Sequence, residues 1–362
     1  MATHPRILSI ASAHPRFDYS QAAVLRYAQE SILGEGWHER PETAETGRQM
    51  ERLFLATKVE RRQSAVDLPT YYEHPRGTGD RMAEYATAGY ALGRAASERA
   101  LHALGGRLTA AEISDLVVVS CTGYNAPGLD IQIARDLGMP RDVRRVVVGH
   151  MGCFGALVGL RQCLAAVRAN AGATAALLSV ELTSLHFAPT LDPEVLTSFA
   201  LFGDAAAMAV VAMDERADGP ELVGTYCSAD FAAADQMSWT ITDQGFMMGL
   251  SPRVPVSLRR NIGGVVGELL APHDLTTRDV AHWIIHPGGP AILDVIQRKL
   301  ELSDEQMAEN WAVLREHGNC SSATVLLILE RLLRSGRPRR GEWGVMMAFG
   351  PGLTLETALL RF

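Results

Sequence analysis

Apolar and polar positions along this chain come in blocks, and the period changes from block to block. Short, nearly continuous apolar runs rich in β-branched residues or alanine recur at 116–120 (LVVVS), 145–148 (RVVV), 174–181 (TAALLSVE), 205–213 (AAAMAVVAM), 282–285 (HWII) and 343–349 (WGVMMAF). Runs without alternation are what strands buried on both faces require. Residues 6–12 (RILSIAS) and 354–360 (TLETALL) are predicted as further strands. Between them the apolar positions take helical spacing, at 20–34, 46–57, 81–104, 129–137, 153–169, 256–270, 303–316 and 323–334. The Ala-rich helix 81–104 is stopped by Gly105-Gly106, because glycine takes the left-handed backbone that ends helices. Residues 61–80, rich in Arg, Pro, Gly and Tyr, read as loop. Strands alternating with helices predict an α/β protein whose sheets are covered on both faces. The polar stretch 214–219 is the candidate boundary between two halves, 1–215 and 216–362.

Composition narrows the class. With 362 residues, 47% apolar and 21% charged, the chain has the makeup of a globular protein with a large core. Its net charge is 34 − 41 = −7, the wrong sign for a folded nucleic-acid binder. The one dense basic run, 334–340 (RSGRPRR), reads as a solvated loop. Only Lys58 and Lys299 are lysines among the basic residues, a bias of bacterial, G+C-rich coding rather than of a site. No segment approaches the roughly 20 apolar residues of a membrane span, and no secretory signal is expected at the N-terminus. Cys121, Cys153, Cys163, Cys227 and Cys320 form no CxxC pair and no zinc-like spacing. Reduced thiols in the cytoplasm are the expectation.

Four segments carry candidate chemistry. In 146–156 (VVVGHMGCFGA) a strand enters a glycine turn and a helix is predicted to open at Cys153. Unpaired N–H groups at a helix start favour a thiolate and offer donors to an oxyanion; a small buried cysteine fits the same place. In 283–291 (WIIHPGGPA) His286 ends a buried strand, where α/β proteins place chemistry; a turn histidine bonded to backbone fits as well. In 317–322 (HGNCSS) Asn319 precedes an apolar helix, a position that also suits a cap. In 349–354 (FGPGLT) a strand meets a Gly-Pro-Gly turn and then another strand, so that backbone is able to approach a ligand or simply reverse.

In this order, the segments resemble the chalcone synthase superfamily, the type III polyketide synthases. The likeness extends from about residue 5 to the C-terminus, and includes 121–130 (CTGYNAPGLD) and 200–204 (ALFGD). It implies a thiolase fold of αβαβα layers, two similar halves with mixed five-stranded sheets, in a homodimer. It implies Cys153 as the nucleophile, His286 and Asn319 as its partners, and Phe202 as an aromatic gate. It implies acyl-CoA and malonyl-CoA as substrates, no metal or redox cofactor, and a pyrone or resorcinol-type product. Gly288, Gly289, Pro290 and Ala291 would line the pantetheine tunnel, with Lys58, Arg61 and Arg62 at the CoA phosphates. Cys121, His186, Trp239, Met248 and Ser321 fall at pocket-shaping positions. Trp239 and His186 stand where plant members carry Gly and Thr, which implies a smaller or rerouted pocket. Cys320 is expected to reach the cavity, Cys163 and Cys227 to be structural. The alternative on the same fold is a single-round ketoacyl synthase; its relatives carry His-Gln-Ala-Asn where this chain has 286–289 (HPGG).

Overall fold

The computed structural model describes residues 4–170, 172–214 and 217–362. The strands are β1 (Arg6–Ala13), β2 (Phe17–Ser20), β3 (Arg61–Ser64), β4 (Asp115–Ser120), β5 (Arg144–Gly149), β6 (Thr174–Glu181), β7 (Ala205–Ala212), β8 (Glu221–Ala229), β9 (Met237–Thr242), β10 (Gly245–Leu250), β11 (Val280–Ile285), β12 (Trp343–Gly350) and β13 (Thr354–Arg361). The helices are α1 (Gln21–Leu33), α2 (Pro41–Ala56), α3 (Leu68–Tyr71), α4 (Thr78–Ala103), α5 (Leu129–Asp136), α6 (Gly155–Ala169), α7 (Pro193–Leu201), α8 (Val254–Leu270), α9 (Pro290–Leu300), α10 (Asp304–His317) and α11 (Thr324–Arg334).

Nine strands form one mixed sheet in the order β11-β12-β13-β8-β1-β7-β6-β4-β5. It is two sheets joined at a seam, because β1 meets β8 through the single pair Arg6↔Glu221. On one side lie the five strands β1, β7, β6, β4 and β5; on the other lie four, β8, β13, β12 and β11, one fewer than expected. Helices α6 and α11 pack between the two: α6 touches β4 and β6 on one side and β12 and β13 on the other, and α11 touches β1 and β7 as well as β11 and β12. Helix α4 covers the outside of the first sheet, and α8 and α10 cover the second. The result is the αβαβα layering of the thiolase fold.

The strand pattern explains why both faces are apolar. Along β4, Val117 and Val119 enter the central core with α6, while Leu116 and Val118 enter the outer core under α4. A third core joins Leu258 and Ile262 of α8 to Val345 and Leu359. Helix starts follow their caps: Ser20 accepts from the Ala23 N–H, and Ser303 and Gln306 form a capping box at α10.

Several expectations need correction. Segment 61–80 is not all loop: β3 pairs antiparallel with β2, and α3 and the start of α4 lie within it. The pattern hid β3 because its inward positions are polar, Arg62, Gln63 and Ser64 all being buried. The run at β5 is strand but not buried; Val146 and Val147 are 44% and 56% exposed on the sheet's open edge. Helix α6 begins at Gly155, two residues after Cys153. The hairpin β9–β10 and helix α7 carried no clear periodicity. The predicted boundary between 215 and 216 lies outside the described residues.

Candidate active site

Cys153 sits in the turn between β5 and α6, 3% exposed. The tight backbone here depends on Gly152, at φ +79, where a Cβ would stand 2.4 Å from Pro351. Thus the Gly-Pro-Gly turn after β12 presses on the cysteine turn. Asn319 approaches from the segment between α10 and α11. Its N–H donates to Leu201 O at 2.9 Å, its carbonyl accepts from Gly203 N at 3.0 Å, and so it lies beside Phe202 as a one-residue parallel bridge. The Asn319 side chain stands 4.0 Å from Cys153 Sγ. A Cβ on Gly203 would fall 2.3 Å from the His317 carbonyl, so only glycine lets the two segments close.

His286 ends β11, where its N–H donates to Met347 O at 2.9 Å. The imidazole is fully buried, edge-on to Phe349 at 5.6 Å between ring centres, and neither ring nitrogen has a hydrogen-bond partner among the described residues. Burial alone pushes the imidazole down to about 3. Burial also pushes the Cys153 thiol up to about 12, against hydrogen bonds from Ser321 and Asn319 that lower it. The helix start therefore does not by itself outweigh desolvation, contrary to the sequence expectation.

Beneath the cysteine lies a carboxyl that the sequence reading passed over. Glu181 ends β6, fully buried. It accepts from Cys121 N–H at 3.0 Å, from Thr122 Oγ1 at 2.8 Å, and from the Ser322 hydroxyl. Burial raises it to about 7. Its signal was available: a charged residue closing an apolar strand run, where α/β chemistry collects.

The cavity at Cys153 holds only about 10 Å³ and is walled by Cys121, Phe202, Trp239, Met248 and Ser321. A neighbouring cavity of about 50 Å³ shares Phe202, Trp239 and Met248 and adds His186. On the other side of Leu201, an apolar groove of about 390 Å³ is lined by Gly288, Gly289, Pro290 and Ala291 with Thr57 and Val254. The pocket residues expected from sequence therefore line the first two spaces, and the expected groove residues line the third.

Of the expected cations, Arg62 lines the cavity of about 50 Å³, whereas Lys58 and Arg61 line none of these spaces. Arg62 is 4% exposed, and its guanidinium donates to Phe202 O at 2.8 Å and Ala200 O at 2.9 Å, and also to Phe199 O and Gln21. It caps the end of α7, where a cation offsets the helix dipole, and has no reach to a phosphate outside. Arg61 is exposed but paired with Asp18. Lys58 is exposed, with Nζ 4.6 Å from the Trp311 ring centre and no carboxylate partner among the described residues. Cys320 is buried with Sγ facing His317 O at 3.5 Å and does not line the cavity. Cys163 is buried in the core, whereas Cys227 is exposed.

The layered fold and a cysteine between glycine turns define an acyl-transferring enzyme of thiolase type. The chain belongs to the chalcone and stilbene synthase family, the type III polyketide synthases: the family's N-terminal domain matches residues 42–215 and its C-terminal domain residues 230–362. It is 37% identical to 1,3,6,8-tetrahydroxynaphthalene synthase of Streptomyces peucetius over 86% of this chain and 83% of that one. It is 30% identical to the alpha-pyrone synthesis polyketide synthase-like protein Pks18 of Mycobacterium tuberculosis, over 98% and 90%. Among solved structures, PKS-I of the brown alga Ectocarpus siliculosus superposes with TM-score 0.90 at 28% identity, over 100% of this chain and 99% of that one. Among the described residues no helix is long and apolar enough to cross a membrane.

Proposed function

We propose that Cys153 takes an acyl group from an acyl-CoA and that the enzyme extends it with malonyl-CoA, closing the chain to a pyrone or resorcinol-type ring. The thiol proton passes to His286, and Cys153 sulfur attacks the thioester carbonyl, releasing CoA thiol. Malonyl-CoA then loses CO₂. His286 Nε2–H and the Asn319 amide donate to the oxygen of the resulting enolate. The enolate carbon attacks the Cys153 thioester, freeing the sulfur and forming a CoA-bound chain two carbons longer.

One observation carries this reading: a fully buried imidazole with both nitrogens unbonded. Leaving a buried polar group unsatisfied costs about 1–3 kcal/mol, so the position suits a ligand's oxygen. Phe202 gates the passage between the groove and the cavity, and the groove takes the pantetheine arm with Lys58 at its mouth. The five free thiols suit a cytoplasmic enzyme. Two copies pair through the open β5 edge, where exposed valines would otherwise stand in water.

The test separates the steps. With malonyl-CoA and an acyl-CoA, Cys153→Ala should lose both protein acylation, read by intact mass, and product. Asn319→Ala should keep acylation while malonyl decarboxylation falls about 10²-fold or more. Equal loss of both steps, or full activity without the Cys153 thiol, would sink the assignment. One condensation per product would favour the single-round synthase instead.

A further inference from the structure

Sequence placed His186 in the pocket wall, yet its two ring nitrogens are both spent on backbone. Nδ1 accepts from the Phe246 N–H at 3.0 Å, and Nε2–H therefore donates to Thr122 O at 2.7 Å. The ring also stacks on Phe246, with centres 4.4 Å apart and planes 11° from parallel. Burial keeps the imidazole neutral, pushing it down to about 4, which suits one donor and one acceptor. Gly245, at φ +102, leaves the approach open; a Cβ there would lie 3.1 Å from His186 Nδ1.

The two groups that His186 joins belong to different bodies. Phe246 is on β10, in a hairpin that makes its own two-stranded sheet apart from the main one. Thr122 follows Cys121 at the end of β4 and its hydroxyl holds Glu181. The hairpin's turn is tied to Thr78 and its far end to Glu194. Its middle, where Trp239 pairs with Met248, faces the cavity at Cys153. Here the ties are His186, the Trp239 indole N–H on Cys121 O at 2.7 Å, and His150 Nε2 on Trp239 O at 2.7 Å.

We propose that His186 is a positioning residue that clamps the hairpin to the floor segment 121–122, holds the Trp239 indole beside Cys153, and so limits how long a chain the pocket accepts. It touches no reacting atom; it acts through Trp239. The inference rests on Cys153 being the acyl carrier.

The experiment is product profiling by mass spectrometry, with malonyl-CoA and short and long acyl-CoA starters, alongside intact-mass acylation of Cys153. His186→Ala should keep acylation by a short starter within about threefold of wild type. It should raise the ratio of long to short products, or of long to short starters used, about tenfold. His186→Gln offers a carbonyl and an amide N–H at similar spacing and should restore the wild-type ratio. Adding His186→Ala to Trp239→Ala should change the ratio much less than His186→Ala does alone, since the clamp then no longer holds an indole in the cavity. Trp239→Phe, which keeps a ring but loses the bond to Cys121, covers the case of an insoluble alanine variant and should move the ratio in the same direction. A wild-type ratio in His186→Ala, or an equal additional shift in the Trp239→Ala background, overturns the clamp. Wild-type enzyme that neither acylates Cys153 nor consumes malonyl-CoA would instead overturn the proposed function.

Discussion

His286 and Cys153 are both driven toward their neutral forms by burial, and in the proposed reaction the imidazole takes the thiol's proton. Burial raises the thiol to about 12 against the hydrogen bonds from Ser321 and Asn319, so in His286→Ala, with no imidazole to take the proton, alkylation should need strongly alkaline pH. In the native protein the imidazole is available as acceptor, and the pH at which iodoacetamide alkylates Cys153 should lie lower. Superimposable pH profiles for the two proteins would remove His286 from the proton's path. Glu181 makes a second, opposite kind of prediction. Its folded pKa of about 7 lies above the 4.5 of a free carboxyl, so the native state binds the extra proton. Its contribution is favourable below pH 4.5 and is lost as pH rises through 7, by up to about 3 kcal/mol. The buried His186 and His286 and the half-buried His14 and His317 are all lowered and act with the other sign. The difference between native and Glu181→Gln unfolding curves isolates the carboxyl, and that difference should change between pH 4.5 and 7. A difference independent of pH would show Glu181 to titrate normally. Cys153, His286 and Asn319 were legible because each stands in a glycine-marked turn at an element end. Arg62 misled because its sequence neighbours Lys58 and Arg61 are exposed, whereas its own side chain turns inward to carbonyls that only the folded α7 presents.

Among the elements, the turn after α7 bears a tight steric demand. Gly203→Ala would drive a methyl into the His317 carbonyl, a backbone atom that has nowhere to go. We expect a loss of about 1–3 kcal/mol in thermal or denaturant unfolding, with activity falling further as Asn319 and Phe202 part. An active, fully stable variant would show the segment to be free to shift. At the other end of the first sheet, β5 offers Val147 on an unpaired edge. Val147→Lys should yield monomers by light scattering while leaving the far-ultraviolet circular dichroism unchanged. Dimers that persist would place the interface elsewhere. These elements mark where periodicity stops helping. β4, β6, β7 and β12 announce themselves because both faces are buried. β5 has the same composition and an open side, and hydrophobicity cannot tell a strand covered on both faces from one at an exposed edge. The β9–β10 hairpin was missed for the converse reason, since its residues answer to a cavity rather than to a packed layer.

Across the whole molecule, the α/β class follows from covered strands and long amphipathic helices and was visible in the residues, whereas the duplicated layering came only with the family resemblance. The pairing of the two half-sheets was not visible in the residues, because it depends on which helices are shared. Helices α6 and α11, one from each half, fill the same central layer. The site lies where they start, with Cys153 just before α6 and Asn319 just before α11. The network continues across this divide: Ser322 at the start of α11 donates to Glu181 at the end of β6, and also meets Ser179 at 2.8 Å. Natural recombination between members of such a family would find a tempting crossover at the thin seam beside β8, where one residue pair joins the sheets. A chimera made there inherits Cys153 from one parent and His286 and Asn319 from the other. It stays competent only when the parents agree on the buried partners of residue 181, so the halves travel through evolution as a matched set rather than as interchangeable parts.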